Sequence, residues 1–144
     1  MTNEVRSQVN IKLISTIRPN DGGESESYEM WLKGQLLEKA GSLYLKYDEV
    51  QEDKTIRTTM KLGHEKALIM RAGAVNMRLP LNIIEHQKGH YESEFGSMPL
   101  VIDTKNMMFT KQATSGDFHV QYDLLMGGQS VGNYTLDITF TEVQ

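Results

Sequence analysis

Two residues of opposite charge stand in apolar phases of this chain. In "SLYLKYDEV", Leu43, Leu45, Tyr47 and Glu49 recur at every second position, so an extended chain carries all four on one side. Arg71 follows the apolar residues of "LIMRAG". A carboxylate turned inward needs a partner, because an unpaired buried charge is costly. Arg71 is the candidate. Three readings are open at this point: Glu49 is solvated where its strand ends and "VQED" turns, it forms a structural ion pair with Arg71, or it contacts a ligand. Glu49 with Tyr47 or Tyr91 also offers an acid and phenols for proton transfer, though no spacing demands that chemistry.

Other chemistry finds less support. His90, Glu92 and Glu94 would share one face of a strand, a donor set a metal could use. Alternating charge is equally the solvent face of an ordinary strand, and Lys88-Gly89 reads as a turn that separates His86 from His90. His64 reads as a turn residue and His119 as water-facing. There is no cysteine, no G-x-S-x-G and no phosphate-binding glycine motif, so thiolate, serine-elbow and P-loop chemistries lack their residues. Nine methionines are present; Met30, Met60, Met70, Met77, Met107 and Met108 could line a pocket, although gap-filling in a core is the commoner use.

The elements that must position these groups are strands. Period two dominates. Val9, Ile11 and Leu13; Tyr28, Met30 and Leu32; Ile56, Thr58, Met60 and Leu62; Val75, Met77, Leu79 and Leu81 each share a face. Phe118, Val120, Tyr122 and Leu124 form the cleanest strand, matched by Tyr134, Leu136, Ile138 and Phe140, with a Gly127-Gly128 hairpin turn between them. Tyr28, Trp31, Leu32 and Leu36 also fit helical spacing, with Ser25 or Ser27 as a cap, but Gly34 would weaken that helix by roughly 1 kcal/mol. Strands explain the same residues without this cost. Pro80 interrupts its alternation and predicts a bend or an edge. Roughly eight to ten strands separated by short Gly, Asn or Asp turns predict an antiparallel barrel or sandwich.

The chain has 144 residues and a net charge of -4, with no cysteine. This length predicts one domain over residues 1–144 and suffices for a core without disulfides or metal. The acidic balance argues against nonspecific nucleic-acid binding. The polar start "MTNEVRSQVN" lacks the pattern of a signal peptide, and no stretch approaches the ~18 apolar residues of a membrane helix. A cytoplasmic location is the expectation.

"LYLKYDE", the Thr58–Lys61 strand, "MRAG" and "HVQYDLLMGGQSVGNYTLDITF" occur in an order that resembles the YwiB-like family of Gram-positive bacteria. The resemblance covers nearly the whole chain. It implies an all-β, calycin-like or lipocalin-like antiparallel barrel. It marks Tyr47, Glu49, Arg71, Gly73, Tyr91, Gly96, Thr104 and Tyr122 as family-typical, and it brings forward a buried or rim pair of Glu49 with Arg71. The region from Leu79 to Lys88 departs from the pattern, which has an aromatic residue and a glycine-bearing turn there.

These readings converge on a small partly apolar ligand held in the barrel, with Tyr47, Glu49, Arg71, Tyr91 and Tyr122 as its contacts. That hypothesis requires a cavity of a few hundred Å³. The alternative is a protein-interaction module that pairs through a barrel edge, as a homodimer or with another protein. No enzymatic activity, cofactor, metal, nucleic acid or membrane is expected as part of either.

Overall fold

The computed structural model describes residues 4–143. Ten strands run through it: β1 (Glu4–Pro19), β2 (Glu26–Lys39), β3 (Ser42–Gln51), β4 (Lys54–Leu62), β5 (Lys66–Gly73), β6 (Asn76–Asn82), β7 (Gln87–Ser93), β8 (Gly96–Lys111), β9 (Ser115–Met126) and β10 (Gln129–Glu142). Each pairs antiparallel with its sequence neighbours, and β1 pairs with β10 to close the barrel. Residues 28–37 lie in β2, so the strand reading holds over the helical one.

The alternation decides what fills the interior. Val9, Ile11, Leu45, Leu81, Ile102, Phe118, Val120, Ile138 and Phe140 are each at most 1% exposed. They pack the end of the barrel where the turns at residues 40–41, 63–65, 83–86 and 112–114 lie. We call this the closed end. At the other end, the turns at 52–53, 74–75, 94–95 and 127–128 surround an opening. Gly127 and Gly128 form their hairpin with φ of 60° and 84°, the left-handed conformation that a primed turn requires.

The wall forks between β2 and β3. β2 pairs with β3 only through Gly34–Lys39, opposite Ser42–Tyr47. Above that point, Glu26–Lys33 and Asp48–Gln51 have no ladder between them among the described residues. Gly34 sits at the branch. A Cβ there would meet Lys46 O at 2.4 Å and the Ile11 side chain at 2.7 Å, so only glycine lets the strands approach so closely. Tyr28 shows the result: it lines the interior, yet it is 51% exposed.

Around Pro80 the sequence reading is partly corrected. Lys88-Gly89 is not a turn, because β7 runs straight through both residues. The turn lies at 83–86, where Asn82 Oδ1 accepts hydrogen bonds from the backbone N–H groups of Ile84 and Glu85. Pairing of β6 with β7 stops at Arg78, just before the proline. Beyond it, the Asn82 N–H donates to Thr104 Oγ1 at 3.3 Å, so a buried threonine replaces the missing ladder. Thr104 is thus a structural member of the family-typical set.

Candidate functional site

Strand register assembles the site. Tyr47 of β3 faces Thr58 of β4, Thr58 faces Arg71 of β5, Arg71 faces Met77 of β6, and Met77 faces Tyr91 of β7. This row crosses five strands at one level. On the opposite wall, Ile17, Tyr134 and Tyr122 face one another in sequence across β1, β10 and β9. Between the two rows lies a cavity of about 280 Å³, with Leu13, Met30, Met60, Ile69 and Leu124 toward the packed core.

All five residues proposed as ligand contacts line this cavity: Tyr47, Glu49, Arg71, Tyr91 and Tyr122. Glu49 is not a solvated strand end. Its Oε1 lies 3.4 Å from Arg71 Nη2, with the two side chains 11% and 27% exposed. Glu49 stands at the rim, two residues along β3 from Tyr47, and reaches down to Arg71 in the Tyr47–Thr58–Arg71 row. It engages one guanidinium nitrogen and leaves the other donors of the arginine turned elsewhere.

Other groups were not visible as site residues from the sequence. Ser15, Tyr28, Thr58, Tyr134 and Met126 also face the cavity. Their strand faces were legible, but which faces meet across the interior depends on register over ten strands. Tyr122 and Tyr134 are stacked with ring centroids 5.3 Å apart and planes 6° apart. Thr58 is 1% exposed, and its hydroxyl has no hydrogen-bond partner among the described residues. It lies close enough to the Tyr47 phenol to favour that group's ionised form, yet the contact falls short of hydrogen-bond geometry.

The methionine set divides. Met30, Met60 and Met77 line the cavity, whereas Met70 and Met108 are exposed on the outside and Met107 packs against the core. His90 and Glu92 are exposed and lie beside Arg78 and Asn76 on the outer wall. His119 also faces outward, as expected, with Nδ1 2.5 Å from Asp137 Oδ1.

Burial, followed by the nearby Glu49 carboxylate, pushes the Tyr47 phenol well above the ordinary value of 10.0; Arg71 opposes this only in part. Burial also pushes Tyr122 far up, followed by the neighbouring Tyr134 and Tyr28. Both phenols are therefore neutral hydroxyls across the physiological range. A raised pKa in the folded state gives stability that is present below pH 10.0 and lost as pH rises above it. Phenolate absorbance followed against pH is expected to show Tyr47 and Tyr122 ionising together with loss of the barrel's circular dichroism. Smooth ionisation of all six tyrosines in a folded protein would refute this.

Residues 11–138 match the family described as Domain of unknown function (DUF1934). The chain belongs to the DUF1934 family. A relative of this chain is the uncharacterized β-barrel protein YwiB of Bacillus subtilis strain 168, 26% identical over 120 residues, which cover 83% of this chain and 84% of YwiB. The crystal structure of YwiB superposes with a TM-score of 0.84 at 22% identity, over 96% of this chain and 94% of that one. The description of YwiB names an architecture and no reaction. The family and the barrel fold are thus established for this chain.

Proposed function

We propose that this protein binds a small, partly apolar molecule inside its barrel. The observation that carries the reading is the cavity itself: apolar at depth, ringed by phenols, with the Glu49–Arg71 pair at its rim and an unpartnered Thr58 hydroxyl in its wall. A packed interior has no use for such a hydroxyl, because desolvating one without a hydrogen bond costs about 1–3 kcal/mol. At about 280 Å³ the cavity sits at the small end of ligand pockets. Nothing in the arrangement aligns a nucleophile with a base, so binding is the better reading than catalysis.

The test is native mass spectrometry on protein purified from its own host. The wild type is expected to carry a reproducible extra mass that is lost on denaturation. Arg71→Met is expected to lose most of it. Bare wild-type protein throughout would count against the proposal.

The fork between β2 and β3 favours one second reading. Glu26–Lys33 presents a strand edge without a ladder on one side, and such edges accept another strand. A bare dimer in the same spectra, abolished by Trp31→Pro on that edge, would move this reading to the front.

A further inference from the structure

The chain places its two kinds of six-membered aromatic ring at different ends of the barrel. Five of its six tyrosines line the cavity, while Phe109, Phe118 and Phe140 fill the closed end. Phenylalanine would pack the cavity wall equally well and spare the desolvation of a hydroxyl. Among the described residues, no phenol oxygen closes a hydrogen bond of good geometry, although the Tyr47 phenol stands beside the Thr58 hydroxyl. Thr58 Oγ1 repeats the pattern: it is fully buried, faces the cavity and has no partner. Arg71 adds several N–H donors beyond the one that meets Glu49. The hydroxyls both donate and accept, so the donor-only guanidinium of Arg71 sets the preference for an acceptor, with the one carboxylate already engaged by it.

The apolar surfaces point to a flat guest. Tyr122 and Tyr134 stack face to face as an aromatic pair on the cavity lining. Met30 and Met77, both partly buried, line the cavity, and sulfur makes favourable contacts with aromatic rings. Resting on the binding reading above, we infer that the ligand is a planar aromatic molecule bearing a carbonyl or carboxylate oxygen. The oxygen meets Arg71, Thr58 and the phenols, and the ring lies among the tyrosine faces and methionines.

Titration calorimetry with three matched probes tests this: naphthalene carboxylate, its fully saturated counterpart, and naphthylmethylammonium, which keeps the ring but replaces the acceptor with a donor. The carboxylate is expected to bind about three- to tenfold more tightly than the saturated compound. The ammonium is expected to bind weakest. Thr58→Val keeps the side-chain shape and is expected to weaken the carboxylate about three- to tenfold. Urea unfolding of the same variant confirms that its barrel is intact.

Equal affinity for the saturated compound would overturn the aromatic part of the inference, and equal affinity for the ammonium would overturn the acceptor part. Unchanged affinity in folded Thr58→Val would remove that hydroxyl from the site. If no probe binds while protein from the host carries a non-aromatic mass, the inference fails and the binding reading stands. If no probe binds and no host mass appears, both fail.

Discussion

Phe140→Ala is expected to destabilise the barrel by about 3–5 kcal/mol, the range for deleting a fully buried ring. Phe140 is 0% exposed, and it lies opposite Ile11 on β1 and Gly116 on β9, at the seam where the barrel closes. The ring occupies the space a side chain at Gly116 would need: a Cβ there would lie 2.3 Å from Phe140 Cζ. Gly116→Ala alone is therefore expected to cost about 1–3 kcal/mol by overpacking. The two changes are coupled. Once the ring is gone, the alanine methyl has room, so the double variant is expected to be clearly more stable than the summed single effects imply. Urea unfolding of the four proteins measures this. Additive losses would show that the glycine is set by backbone conformation rather than by the ring.

The second large effect concerns occupancy. Leu136 lines the cavity from β10 and is only partly buried. Leu136→Trp projects an indole into the space claimed for the ligand, with an overpacking cost of about 1–3 kcal/mol. The closed end is untouched, so the protein is expected to remain folded. Ligand affinity is expected to fall by about 100-fold or more, equivalent to about 2.8 kcal/mol. The host-derived mass should vanish from native spectra, with no change in oligomeric state. A retained mass in folded Leu136→Trp would place the bound molecule outside the barrel, for example along the exposed edge of β2.

Much of this fold can be read from alternation. Phe118 to Leu124 and Tyr134 to Phe140 stand out because each has one buried face and one wet face, and Gly127-Gly128 between them permits only a tight turn. β7 is harder. Gly89 looks like a turn residue, but it lies in the strand because a Cβ there would meet Arg78 O at 2.1 Å. That contact arises only after β6 and β7 have met. The same limit governs the site. Glu49 and Arg71 are visible singly, as charges in apolar phases. Thr58 is not, because a threonine in an alternating strand is unremarkable until register sets it between Tyr47 and Arg71 with nothing to bond. The split of the methionines is hidden for a related reason: Met107 and Met108 differ by one residue and hence by one face, and a register shift between Thr104 and Asn106 changes the phase of β8 just before them.

The closure of β1 on β10 also sets a timetable. Val9 pairs with Glu142, so the seam joins residues 133 positions apart. During synthesis at about 5–20 residues per second, β1 waits roughly 7–27 s for its second neighbour. In that interval, Val9, Ile11 and Leu13 have β2 on one side and an open edge on the other. Such distant pairing slows folding, because loop-closure entropy is lost before the contacts form. Of the ten barrel strands the last to be made, β10, is thus the one that completes the wall, and a nascent chain stalled before it presents an apolar edge to whatever is near.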